Sequence, residues 1–343
     1  MGFRLAILAC ATCVQLSAAI GAVPPDPHEP VTGGVHVVST PNDHAATLYL
    51  LERARQNSLN HNRGMQPYKF SVSFSAIGSG SGELTETWLN GQKWRWTASL
   101  GSASVVRVSN QGRLLENGHV SGIPTRAHML RNEIFWSLSE FSAKAQLRTA
   151  AIQWNGKPAT CILTSGMTGP ITETQGRIWQ EEEYCVDNNS GLLMVHSIAP
   201  GTFAVFGYSA NQQFHGRTMP DQITLYVAGS LVTDASFRIA DLTAADEGTI
   251  VAGADAMSAG AVVGVQLPVR IPIVAPAGAS AAGIEQSVMI HADVDGEGRI
   301  VEEEVSASGD PALSQAAFDL VKGTSFGNSQ TQRQMYLNVI FGR

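Results

Sequence analysis

The densest set of possible ligand atoms lies near the end of the chain. Asp293, Asp295, Glu297, Gly298, Ile300 and Glu304 fall at the first, third, fifth, sixth, eighth and twelfth positions of an EF-hand calcium loop. Such a loop is held between two helices. Here Val288, Ile290 and Ala292 alternate with Met289, His291 and Asp293 before it, and Ile300-Val301 follows at once, so both flanks read as strands. Asp295-Gly296 and Gly298 then supply residues that tolerate positive φ in a solvated hairpin turn, and no metal is expected.

Sulfur is the next candidate. Of 4 cysteines, Cys10 and Cys13 sit in an N-terminal apolar run, leaving Cys161 and Cys185 as a pair. In an exported chain such a pair is most simply a disulfide, contributing about 3 kcal/mol by closing its loop. The rival, a two-ligand metal site, has no histidine near it in sequence. Other chemistry is missing: there is no Gly-x-Ser-x-Gly elbow, no His-Glu-x-x-His, no phosphate loop with its lysine, and the 9 histidines stand singly. Glu181-Glu182-Glu183 and Glu302-Glu303-Glu304 lie in strand-like segments, where successive side chains alternate between faces, so each run is expected to be a solubilising edge. Trp94 and Trp96 share one face of a strand and, with Trp88, are expected in a core rather than on a carbohydrate platform. The chain is therefore read as non-enzymatic and free of cofactor.

Composition narrows the class. A net charge of −7 without any basic cluster argues against nucleic acid and against docking to anionic lipid through a basic patch. Arg4, the apolar run Leu5 to Leu16 and the small residues Ser17 to Ala22 have the form of an export signal over 1–22, cleaved after Gly21 or Ala22. The alternative is an anchor: residues 5–23 are just long enough to span a bilayer and hold the chain in an inner membrane. Ile7-Leu8-Ala9-Cys10 has too short an apolar approach for a lipoprotein box.

The 343 residues allow two domains or three small ones. Residues 23–39 are Pro-rich and extended. Thr40-Pro41 starts a helix whose apolar side is Leu48, Leu50, Leu51 and Ala54. From Tyr68 the period becomes two, with turns at Gly78 to Gly82 and Asn90-Gly91 and further strands to Val227. A helical interruption is predicted between Ile123 and Ser142. Cys161 and Cys185 then staple neighbouring strands inside a β-rich domain over 40–255. Ala, Gly and Pro dominate 256–283, which reads as a linker. Residues 284–343 run strand, acidic turn, strand, helix, strand. Asp310 is placed to cap that helix, Pro311 to open it, and Leu313, Ala316, Ala317, Leu320 and Val321 to form its apolar stripe. The fold class is α+β, mostly antiparallel β.

That final order, from Val288 through Asp310-Pro311 to Tyr336-Leu-Asn-Val-Ile-Phe341, resembles the C-terminal domain of the TonB family. Leu84-Thr-Glu-Thr-Trp88, Gln92-Lys-Trp-Arg-Trp96, Glu183-Tyr-Cys-Val-Asp-Asn-Asn-Ser-Gly-Leu192 and Gly216-Arg-Thr-Met-Pro-Asp221 look like the N-terminal region of TonB-family proteins of acidobacteria, itself similar in strand order to the LolA and LolB lipoprotein carriers. The resemblance implies a half-open β-barrel wrapped on helix, a linker, and a small ββαβ unit. It also implies a periplasmic protein that binds an outer-membrane receptor or another periplasmic protein by strand addition at Tyr336, Leu337, Asn338, Val339, Ile340 and Phe341. Residues 5–23 hold no histidine to meet a proton-driven motor, and Lys322 to Asn328 lacks the family's aromatic-Pro segment, so energy transduction is not expected. The alternative is a carrier of a lipid or lipoprotein acyl chain, which needs an apolar groove of roughly several hundred cubic ångströms.

Overall fold

A computed structural model of the chain describes residues 34–58, 65–118, 125–136, 145–165, 181–199, 202–209, 212–227, 230–258, 269–274, 286–294, 297–307, 311–327 and 333–342. The export signal expected over 1–22, the start of the Pro-rich segment, Asp295 and Asp310 lie outside the described residues.

The elements are β1 (His36–Val37), α1 (Pro41–Gln56), β2 (Tyr68–Ala76), β3 (Gly80–Asn90), β4 (Lys93–Leu100), β5 (Ala103–Asn110), β6 (Arg113–Gly118), α2 (Thr125–Trp136), β7 (Gln146–Trp154), β8 (Lys157–Ser165), β9 (Glu181–Asp187), β10 (Leu193–Ala199) and β11 (Thr202–Gly207). Then come β12 (Gln213–Phe214), β13 (Arg217–Thr218), β14 (Gln222–Val227), β15 (Ser230–Asp241), α3 (Ala244–Glu247), β16 (Met257–Ser258), β17 (Val269–Val274), β18 (Gln286–Val294), β19 (Ile300–Ala307), α4 (Pro311–Lys322) and β20 (Arg333–Gly342). As the sequence suggests, Thr40 caps α1, its side chain accepting from the Asp43 amide at 3.1 Å. In β2 the period of two sends Tyr68, Phe70, Val72, Phe74 and Ala76 to a buried face. The turn expected over Gly78 to Gly82 is shorter, because β3 already begins at Gly80. Gly82 is needed there: a Cβ would meet the Phe74 ring at 2.3 Å and the Ser99 carbonyl oxygen at 2.4 Å.

One sheet carries 14 of the described strands in the order β1-β7-β8-β9-β10-β11-β14-β15-β2-β3-β4-β5-β6-β16. It is antiparallel and does not close on itself, its end strands β1 and β16 having only 2 residues each. Two meanders compose it. β2 to β6 runs outward from the middle; the chain then crosses to the far end and returns through β7 to β15, which pairs with β2. Because β6 and β7 lie at opposite ends, their connection must pass over a face of the sheet, and α2 is in it. Leu51 and Ala54 of α1 and Ala127, Leu130 and Ile134 of α2 pack with Tyr68, Phe70, Leu84, Trp88, Trp96, Phe206 and Phe237 in the main core. The opposite face of β7 to β11 has a smaller core of Ala150, Cys161, Leu163, Cys185, Val195 and Phe203.

The C-terminal strands form a second sheet, ordered β17-β20-β18-β19. Val288, Ile290, Ala292 and Val294 of β18 and Leu337 and Val339 of β20 pack on Leu313, Ala317 and Val321 of α4. Two features differ from the sequence reading. Residues 256–283, read as a linker, contribute β16 to the large sheet and β17 to the small one. Consequently Tyr336 to Phe341 is no edge: β20 lies between antiparallel β18 and parallel β17. The edges are β19, carrying Glu302-Glu303-Glu304, and β17, carrying Pro272, and charge or proline is what discourages further pairing.

Candidate functional site: the face covered by α2

Helix α2 is fastened across its sheet by polar side chains. Glu86, on β3, occupies an inward position between Leu84 and Trp88 and is 1% exposed. It accepts from the Tyr68 hydroxyl at 2.9 Å and from Arg131 Nε at 2.9 Å, with Arg131 Nη2 at 2.8 Å. The Arg131 guanidinium also lies over the rings of Trp96 (5.2 Å) and Trp94 (6.0 Å). Burial, then the neighbouring Glu86 carboxylate, pushes the Tyr68 phenol well above its ordinary range. Two residues further along α2, Glu133 accepts from His196 Nδ1 of β10 at 2.8 Å, and the His196 ring stacks on Tyr184 at 4.8 Å. Two strands on opposite halves of the sheet thus both hold the C-terminal half of the helix.

Beside the second fastening is a small cleft lined by Ala54, Asn57 and Ser58 at the end of α1, by Glu133 and Ile134, and by Leu193, Phe206, Tyr208, Met219, Pro220 and Phe237. The Tyr208 hydroxyl donates to the Leu193 carbonyl at 2.7 Å, and burial raises its pKa. The free volume is about 20 Å³, enough for about one water. In this conformation the cleft is therefore too small for an acyl chain.

The opposite face holds the sulfur pair. Cys161 and Cys185 stand directly across from each other on β8 and β9 and are joined as a disulfide. Glu183 Oε1 lies 3.1 Å from Cys185 Sγ, so carboxylate and sulfur atoms are gathered in one place, but the disulfide leaves no thiolate to bind a metal. The expectation that Glu181 to Glu183 form a solvated edge is corrected here. β9 is an interior strand, Glu181 and Glu183 are both 0% exposed on the disulfide's face, and Glu181 is held by Arg148 through contacts of 2.6 and 2.5 Å. Glu182, on the other face, accepts from the Tyr184 hydroxyl at 2.8 Å.

The acidic turn behaves as a hairpin. Asp293 pairs with Glu302 and His291 with Glu304 across β18 and β19, and exposed Glu297 reaches Arg299 at 2.7 Å. Of Tyr336 to Phe341, Leu337 and Val339 are core residues. Sequence reasoning missed Glu86, Arg131, Glu133 and His196; the available signal was a carboxylate at an inward position of an alternating strand.

No family model matches the chain, and no curated protein matches it either. Among solved structures it is similar to a LolA superfamily protein from Nitrosomonas europaea, with 7% identity, 57% of this chain and 93% of that one covered, and a TM-score of 0.36. It is also similar to a chain of the Pseudomonas aeruginosa MucA/MucB complex, with 14% identity, 63% of this chain and 64% of that one covered, and a TM-score of 0.26. No helix among the described residues is long and apolar enough to cross a membrane.

Proposed function

We propose that this chain is a non-enzymatic, exported binding protein of carrier type, holding the apolar part of a lipid or lipidated partner between α2 and the large sheet. The observation that supports this is the way α2 is attached. Burying ion pairs removes their water, and the Coulomb gain roughly balances that cost. A helix fastened by Glu86–Arg131 and Glu133–His196 therefore loses less on lifting than one packed by aliphatic residues, because the released polar groups regain hydration. Beneath it lie the aromatic residues Trp96, Phe206 and Phe237, which an acyl chain can cover in its place. The test is titration of the full chain with a fluorescent long-chain probe, combined with amide hydrogen exchange. Saturable binding with faster exchange in 125–136 is expected; saturable binding with unchanged exchange there, or no saturable binding, refutes the reading.

A second reading concerns the small sheet as a site for a protein partner in the periplasm, by strand addition without energy transduction. Its support is that the outer side of β20 already accepts an extended strand, the chain's own Val269–Val274.

A further inference from the structure

A cationic side chain is bonded to one wall of the cleft. Arg217 begins β13, and the hairpin β12–β13 turns through His215 and Gly216, whose φ values are 48° and 78°. Two consecutive positive φ angles make the tight turn of a two-residue hairpin, so the position of Arg217 is fixed by backbone rather than by a mobile loop. Phe214 anchors the same hairpin in the main core, edge-on to Tyr68 at 6.4 Å. From there Arg217 Nη1 donates to the carbonyl of Ser58, a residue that lines the cleft, at 2.9 Å, and touches Met65 Sδ at 3.4 Å.

Among the described residues no carboxylate pairs with Arg217. Burial lowers its pKa, and the nearby positive charge of Arg55 lowers it further. Arg55 itself is held by Glu52 through contacts of 2.6 and 2.8 Å. Glu133, the sole acid of the lining, is engaged by His196. A half-buried guanidinium under the influence of a second positive charge is stabilised by an anion, and Ser58, to which it donates, also lines the cleft.

We propose that the cleft, widened as α2 lifts, takes a single-chain amphiphile with an anionic head group, the head resting on Arg217 and the chain running among Ile134, Leu193, Phe206 and Phe237. This rests on the carrier reading and names its ligand class. Arg217 offers a carboxylate or a phosphate charge-assisted hydrogen bonds that an alcohol cannot match.

The experiment measures displacement of the bound fluorescent probe from the full chain by hexadecanoic acid, hexadecyl phosphate and hexadecanol, for wild type, Arg217→Gln and Arg217→Lys. The expected result is a preference of about tenfold or more for the anionic compounds over the alcohol in wild type. That preference falls by about tenfold in Arg217→Gln and is partly kept in Arg217→Lys, with alcohol affinity unchanged in both. The relative strength of acid and phosphate identifies which head group the site fits. Equal binding of acid, phosphate and alcohol by wild type, or a preference that survives Arg217→Gln, overturns the head-group assignment while leaving the carrier reading intact. Failure of all three to displace the probe overturns both. Arg217→Gln is accepted as a test only with an unchanged unfolding midpoint; otherwise Arg217→Lys against wild type carries it, and an unchanged preference between these two, together with an unchanged salt dependence, also counts against the proposal.

Discussion

Removing Arg131 alone, and removing the whole polar triad to which it belongs, are expected to have opposite consequences. In Arg131→Met the Glu86 carboxylate stays buried with the Tyr68 hydroxyl but loses its guanidinium. Leaving one member of a buried ion pair behind costs about 3–5 kcal/mol. Lost stacking over Trp96 and Trp94 adds about 1 kcal/mol, partly recovered by the thioether. In a domain of roughly two hundred residues 1 kcal/mol shifts Tm by about 2–4 °C, so a loss of about 6–20 °C is expected. The triple variant Tyr68→Phe, Glu86→Leu, Arg131→Met removes all three polar members together. It is expected to unfold at or above the wild-type midpoint, since apolar replacement of a buried pair is neutral or stabilises by about 1–4 kcal/mol. The same variant should take up the long-chain probe less readily, because its cover helix no longer regains hydration on lifting. Urea unfolding followed by tryptophan fluorescence reads the stabilities, Trp88, Trp94 and Trp96 lying beside the triad. An Arg131→Met variant within about 1 kcal/mol of wild type, or a triple variant no more stable than the single one, refutes this reasoning.

Three further outcomes are expected. Asp246 accepts from the hydroxyl and amide of Thr243 and from Lys69, which together hold its carboxyl at about 2. Because the folded value is depressed, its contribution is present above about pH 4 and fades as pH falls toward 2, and Thr243→Ala should raise the NMR titration midpoint of Asp246 toward about 4; no movement contradicts the assignment. Reducing Cys161–Cys185 should lower stability by about 3 kcal/mol, read as a lower urea midpoint in dithiothreitol, with an unchanged midpoint counting against a structural role. Deleting Val269–Val274 should uncover β20 and produce concentration-dependent self-association on light scattering, whereas a strictly monomeric deletion variant would show that β17 does not shield that edge.

Much of the fold was legible because single faces carry clear periods. Tyr68 to Phe74 alternate strictly, Thr40-Pro41 punctuates α1, and Leu313, Ala317 and Val321 mark the buried side of α4. The disulfide followed from cysteine arithmetic. What escaped notice lies where two faces are buried at once. Glu181 and Glu183 looked like surface residues by type, yet on an interior strand with cores on both sides an acid cannot reach water and must find Arg148 or its equivalent. Helix α2 gives no amphipathic stripe, since Arg131, Glu133 and His128 are as buried as Leu130. The pairing of β17 with β20 is non-local, and Pro272 made that segment look like a spacer.

The order of strands in the large sheet constrains when it can be completed. Tyr68 pairs with Asp241 and Ala76 with Thr233, so the seam joining the two meanders forms only after nearly the whole domain has been made available. Until then β2 has a neighbour on one side alone, and its aromatic row is shielded only by local hairpins. A chain delivered from its N-terminus onward must wait in that half-finished condition, and long-range pairing of this kind is slow. Completion of the sheet is thus set by delivery of the segment that ends at Asp241 more than by any local propensity.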